Sequence, residues 1–277
     1  MSAVPPMPEE LAGPVAKLAR GFSGELGLYV HDLARGEEFG SGAEVRFRAA
    51  STIKLFVLWE LMRQAAEGRL SLDDQVEMRA ADRAQGSGVI ADLSPGLKLT
   101  LRDAATLMIT VSDNTATNLV IDRVGTRNVN RTAAAAGFPG THLAGKIFKG
   151  RGVHSMTTPA DLGRLMTAVA RGRAVGRFES GQMLGILKRE QYAYIVGRMI
   201  PYDPWATGPG AWTLASKSGS LSGCRNDAAY VRAPHARYAI ALMSDGCADQ
   251  RPYVDNEALI CLARIAALVH EHCGRPR

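Results

Sequence analysis

The chain has 277 residues, a formal net charge of +6, 46% hydrophobic and 22% charged residues. This is enough for one large domain or two intimate ones with a sizeable core, in the balance of a soluble globular protein. The basic residues are scattered with no Lys/Arg block, which argues against a nucleic-acid binder, and no apolar run approaches the length of a membrane span. The first ten residues, Met1 to Glu10, lack both a basic n-region and an apolar core, so they do not read as a signal peptide. As written, the chain is expected to be cytoplasmic; a trimmed start would make it periplasmic or secreted.

In chain order, Pro8 to Gly21 reads as a helix with Leu11, Val15, Leu18 and Ala19 on one face. Glu25 to Leu33 reads as a strand, Asp32 to Glu37 carries turn chemistry, and Glu38 to Arg48 returns as a second strand. Ser51 then opens an apolar run, Ile53 to Trp59, expected to be the first turns of a buried helix that ends near Gly68. Ser71 to Arg83 is helical or irregular, and Gln85-Gly86-Ser87-Gly88 is a break. Thr100 caps a helix over Leu101 to Val111, Ser112-Asp113-Asn114 interrupts it, and a further helix runs from Thr115 to Val124. Asn128 to Ala136 is another helix. Phe138 to Met156 is rich in glycine without a clear period and reads as a long loop. Thr158 is a helix cap with Pro159 at the first helical position, for a helix reaching Arg171. Glu179 to Arg189 is helical, and Ile195 to Met199 is a short helix.

Near Trp212 the pattern changes. Trp212 to Ser216, Ala228 to Arg232 and Tyr238 to Ser244 read as strands, and Asn256 to His272 as a long closing helix. The order predicts an α+β fold. A five-stranded antiparallel sheet carries the terminal helices, and an all-helical block is inserted in its middle. The expected division is 1–48 with 212–277 for the sheet part and 49–211 for the helical part, with the site at their interface. The four cysteines, Cys224, Cys247, Cys261 and Cys273, form no CxxC pair; they are buried thiols or up to two disulfides.

Three short motifs carry the chemistry. Ser51 and Lys54 lie one turn apart on one helix face, at an end where backbone N–H groups lack partners and the dipole is positive. Taken alone, this also reads as a Ser N-cap followed by an ordinary Lys. Ser112-Asp113-Asn114 lies between two helices, and Lys217-Ser218-Gly219 ends a strand. In this order the three motifs resemble those of the class A β-lactamases and the wider penicillin-recognising serine hydrolases. Leu101 to Leu119 is similar to the family's central helices, Thr157-Thr158-Pro159 to the segment after its omega loop, and Asn226-Asp227 to the start of the strand after the Lys-Ser-Gly turn.

The resemblance implies a serine hydrolase acting through an acyl-Ser51 intermediate on β-lactam, amide or ester carbonyls. Ser51 is the expected nucleophile and needs a base. Lys54 serves if burial and a neighbouring cation such as Lys217 lower its pKa. Ser112 relays a proton to the leaving nitrogen. Asn114 bonds substrate and Lys54. Lys217 and Ser218 hold a substrate carboxylate, with Arg225 as an assistant or a surface residue. The N–H groups of Ser51 and Ser220, beside Gly219, form an oxyanion hole. No cofactor or metal is called for, the partner is a small-molecule substrate, and the chain is expected to be a monomer. Asp113 is expected to be structural.

One departure limits this reading. The family's omega-loop Glu, which activates the deacylating water, has no counterpart, because the stretch from Arg123 to Ala160 holds no Asp or Glu. The loop is basic, with Lys146, Lys149 and Arg151. Asp122 reads as a surface or capping residue, and His142 and His154 as solvated loop histidines. Deacylation is therefore expected to be slow. The alternatives are a D-alanyl-D-alanine peptidase or esterase-like hydrolase, and a receptor acylated once by a β-lactam or peptidoglycan fragment. Gly86-Ser87-Gly88 is not a dinucleotide fingerprint, and His270-Glu271-His272-Cys273 lacks the spaced partners of a metal site.

Overall fold

The computed structural model describes residues 3–149, 152–208 and 210–275; Arg151, counted above in the basic loop, lies outside the described residues. In chain order the elements are α1 (Glu9–Arg20), β1 (Glu25–Asp32), β2 (Glu37–Ser41), β3 (Phe47–Arg48), α2 (Lys54–Ala66), β4 (Gln75–Met78), β5 (Leu97–Thr100), α3 (Leu101–Thr110), α4 (Asn114–Val124), α5 (Thr126–Ala135), β6 (Met156–Thr157), α6 (Pro159–Ala170), α7 (Arg177–Leu187), β7 (Thr213–Leu221), β8 (Cys224–Arg232), β9 (Arg237–Asp245) and α8 (Glu257–Gly274). A 3₁₀ turn, Ala50–Ile53, leads directly into α2.

As expected, five strands form one antiparallel sheet; their order is β2-β1-β9-β8-β7. Both faces of the sheet are covered, so β8 and β9 are buried at nearly every position; β9 and the second half of β8 read as apolar runs without alternation, while the first half of β8 buries Arg225, Asn226 and Asp227. Leu28, Val30, Ile240 and Leu242 face a core shared with α1 and α8; Tyr29, Ala239, Ala241 and Met243 face the helical block. Helix α6 crosses that second face close to the sheet. A Cβ at Gly163 would lie 2.0 Å from the Tyr29 ring, so the approach requires glycine.

Helix α2 runs through the middle of the helical block. It is buried on all sides from Lys54 to Met62, which places it as a central rather than a surface helix. Phe56 and Trp59 each meet the Phe138 ring edge-on at 5.5 Å.

Three expectations are corrected. The second strand stops at Ser41, because Gly42 turns the chain with φ +58°; Phe47 and Arg48 pair with β6 instead. The segment from Ser71 to Arg83 contains β4, whose partner β5 arrives some twenty residues later. Ile195 to Met199 is not helical: Ile195 and Val196 are buried in the α1/α8 core, and the Val196 N–H is spent on Asp227 Oδ2 at 3.1 Å. All four cysteines are buried free thiols. Among the described residues, no helix is long and apolar enough to cross a membrane.

Candidate active site

Ser51 sits in the 3₁₀ turn where strand β3 becomes helix α2. The turn is held from below by Asn226 of β8, whose Nδ2 donates to Arg48 O at 2.8 Å and Ala49 O at 3.1 Å. Ala50 has φ +48° and Ser112 φ +54°, a left-handed conformation that costs a non-glycine residue energy. Two such residues flank the same site, and the surrounding contacts hold both.

The Lys-Ser-Gly glycine has a steric reason. A Cβ at Gly219 would lie 2.8 Å from Ser51 N and 2.9 Å from Thr52 N. Only glycine lets β7 pass this close to the start of the Ser51 turn. Ser51, Ser112, Ser218, Gly219, Ser220 and Arg225 line one cavity of about 550 Å³, together with Tyr192, Tyr194, Val254 and Leu259. An adjoining cavity of about 500 Å³ also contains Ser51 and Ser220, and is bounded by Asn114, Ile147 and His154. A larger cavity of about 830 Å³ lies against α1 and α8 around Leu18, Phe22 and Ile260 and contains none of the motif residues.

Lys54 lies at the closed end, with no solvent exposure. Its Nζ donates to Ser112 O at 2.6 Å, Ser112 Oγ at 3.0 Å and Asn114 Oδ1 at 2.8 Å. Burial, and next the nearby Lys217 cation, hold the Lys54 pKa well below the ordinary lysine value, against opposing pulls from Asp113 and Glu190. The partners accommodate either protonation state. An ammonium donates to all three oxygens. A neutral amine donates to the two carbonyls and turns its lone pair to a hydroxyl.

Asp113 is the N-cap of α4. Its Oδ1 accepts from Ala116 N at 2.8 Å, and its Oδ2 from Val89 N at 2.6 Å and Ile90 N at 2.8 Å. It therefore ties the Gly86-Ser87-Gly88 segment to the site. Ser87 O accepts from Asn114 N, Gln85 O accepts from Asn114 Nδ2, and Ser87 itself lines the cavities.

Lys217 is buried and paired. Its Nζ lies 2.7 Å from Glu190 Oε1, and the two side chains are 0% and 1% exposed. Glu190 also accepts from Ser218 N and Ser218 Oγ, each at 2.8 Å, and from Ser216 Oγ at 2.8 Å. Asp227 lies behind this cluster. Burial first, then the Glu190 charge, push its carboxyl up to about 8, and its Oδ1 has no hydrogen-bond partner. Arg225, on β8, donates to the carbonyls of Leu221, Cys224 and Arg251 at 2.6 to 2.8 Å while lining the Ser51 cavity.

On the other side the loop from Phe138 to Met156 is pinned by Asn118. The Asn118 Oδ1 accepts from Ile147 N at 2.7 Å and its Nδ2 donates to Ile147 O at 3.1 Å. Lys146 pairs with Asp122 at 2.5 Å, and Lys149 donates to Ala81 O at 3.0 Å. His154 is exposed on the rim of the adjoining cavity, and His142 is exposed on a bridge to Met156. His270 stacks at 4.9 Å on Trp212, and His272 reaches Glu10 rather than its neighbours in sequence.

Sequence reasoning missed Glu190 and Asn118. Glu190 belongs to no motif and follows a helix by three residues. Asn118 left a faint signal, four residues after Asn114 on the same face of α4.

A family model described as the Beta-lactamase enzyme family matches residues 10–273. A β-lactamase of Rhodobacter capsulatus is 26% identical, covering 95% of this chain and 89% of its own. Among solved structures, the β-lactamase from Sphaerobacter thermophilus is 33% identical with a TM-score of 0.86, over 97% of this chain and 98% of that one. A PBP-A variant, solved as an acyl-enzyme complex with penicillin-G, is 27% identical with a TM-score of 0.83, over 98% of each chain. With its five-stranded sheet, its helical block and these relatives, the chain has the class A β-lactamase fold and belongs to the Beta-lactamase enzyme family.

Proposed function

We propose that this protein opens β-lactam, amide or ester carbonyls through an acyl-Ser51 intermediate, and that it releases the acyl group slowly. The observation that carries the first half is Lys54, a fully buried amine bonded to Ser112 and Asn114 behind a cavity that Ser51 lines. Burial and Lys217 favour the neutral amine, which is the form that takes a proton.

Ser51 Oγ attacks the carbonyl carbon while its proton passes to Lys54. The N–H groups of Ser51 and Ser220 receive the developing oxyanion, and Gly219 permits that approach. On collapse the carbon–nitrogen bond breaks. Ser112 gives its hydroxyl proton to the leaving nitrogen and is reprotonated by the Lys54 ammonium. Asn114 orients Lys54 and borders the substrate. Lys217, Ser218 and Arg225 make up the polar end that meets the rest of the substrate. In this reading residues 1–48 with 212–277 form the sheet part, 49–211 the helical part, and the site lies between them.

The second half rests on the adjoining cavity. Ile147 occupies the wall held by Asn118, and no carboxylate lines that cavity among the described residues. A missing water-activating base costs about 10²–10⁴ in rate. The PBP-A variant caught as its penicillin-G acyl-enzyme supports the same half-reaction here.

The test is a time course of intact mass after mixing with a fluorescent penicillin. A label that appears stoichiometrically and persists for many minutes is expected, with none on Ser51→Ala. Rapid loss of the label with full turnover refutes slow deacylation. Labelling of Ser51→Ala refutes the nucleophile.

A further inference from the structure

The donors assigned above to a substrate carboxylate already hold one. Glu190 takes Lys217 Nζ, the Ser218 N–H and the Ser218 hydroxyl, and is closed off from solvent. Strand β7 is an edge of the sheet, so the Ser218 N–H that β8 leaves unpaired is met by Glu190 instead.

The consequence follows from counting hydrogens. A serine hydroxyl has one, and Ser218 spends it on Glu190. Toward the cavity Ser218 therefore offers lone pairs, which repel a carboxylate and accept an N–H or O–H. Lys217 has three N–H donors; Glu190 Oε1 takes one and Ser218 O another at 2.9 Å. Its charge is balanced by the Glu190 carboxylate before any substrate arrives. Lys217 is buried beneath this cavity's lining, and Arg225, the cation that lines it among the described residues, is anchored to three carbonyls. Tyr192, Tyr194, Val254 and Leu259 add apolar and aromatic surface to the same cavity.

From these contacts we infer that Glu190 sets the charge preference of the site, weakening the binding of carboxylate-bearing substrates relative to uncharged esters and amides. The inference rests on the reading of Ser51 as the nucleophile. Glu190 acts through Lys217 and Ser218 and does not touch the substrate; its pull on Lys54 alters the acylation of acid and ester alike, so the ratio between the two reports binding.

The experiment compares benzylpenicillin with its uncharged methyl ester as acylating agents, reading Ser51 label by intact mass over a concentration series. The wild-type protein is expected to acylate with the ester at least as efficiently as with the acid. Glu190→Gln keeps the shape and shifts the ratio toward the acid by on the order of tenfold, the shift being carried by the half-saturating concentrations, while any change in limiting rate falls on both compounds alike. Glu190→Asp restores the wild-type ratio. An unchanged ratio in Glu190→Gln overturns the inference. If that variant does not fold, the wild-type ratio decides: a strong preference for the acid overturns it, and parity or a preference for the ester upholds it. If neither compound labels Ser51, the nucleophile assignment itself has failed, and the inference with it.

Discussion

Lys54 Nζ and Asn114 Oδ1 lie 2.8 Å apart at the buried end of the site, and the same nitrogen touches Ser112 twice. With its pKa depressed by burial and by Lys217, Lys54 is a base only above that lowered value. Ser51 acylation should therefore rise with pH and level off well below the range where an ordinary lysine titrates. Lys54→Ala should lose about 10²–10⁴ in acylation rate and lose that pH dependence. Label on Ser51 followed across about pH 5 to 9 checks both; a variant acylated as fast as the wild type would exclude Lys54 as the base.

Gly219 should tolerate no side chain. A methyl group there meets Ser51 N and Thr52 N. Gly219→Ala is expected to displace β7 from the Ser51 turn and slow acylation by about 10², because small misplacements of reacting groups carry costs of that size. Ser218→Ala changes no backbone spacing and should cost less. The two acylation rates, measured with the same penicillin, provide the comparison.

In the proposed reading, Ile147 stands where a water-activating base would act. Asn118 holds both its backbone N–H and its carbonyl, and Ile147 is among the residues that line the cavity containing Ser51. Ile147→Glu places a carboxylate there, and the acyl-enzyme should decay faster by on the order of 10². The half-life of the fluorescent label reads this directly. An unaltered half-life would mean that the position does not face the acyl carbonyl.

Asp113 should matter to stability before it matters to chemistry. Its carboxylate satisfies three backbone N–H groups. Asp113→Ala leaves them without partners and should lower stability by about 1–3 kcal/mol. Urea unfolding measures the loss. Acylation should fall with it, since Ser87 and Gln85 carry Asn114.

Asp227 predicts the direction of a pH dependence. Its carboxyl is raised from 3.8 to about 8 on folding, so the folded protein binds a proton that the unfolded chain releases. The stabilisation is complete below the unfolded value and is lost as pH rises through about 8. Asp227→Asn cannot ionise, so its melting temperature should fall less than that of the wild type between mildly acidic and mildly alkaline pH. Parallel curves for the two proteins would remove Asp227 from this role.

The sequence by itself determined the features that are local or that repeat a chemical pattern. Thr158 and Pro159 announce α6 because a cap and a ring with fixed φ act within one turn. Ser51 and Lys54 are one turn apart wherever the helix lies. The apolar stretches in the second half of β8 and in β9, with the long α8, reveal the sheet and its closing helix. The absence of Asp and Glu from Arg123 to Ala160 is likewise plain from the letters alone. What depends on distant partners was decided by the tertiary structure. Strand β4 exists because β5 pairs with it, and the segment after Ile195 is held out of a helix by burial and by Asp227. Glu190 meets Lys217 across 27 residues and Asn118 meets Ile147 across 29, and no spacing rule links such pairs. Ion pairs and hydrogen bonds depend on separation in space, and only the packing of α7, β7 and α4 around the Ser51 turn brings those residues within reach.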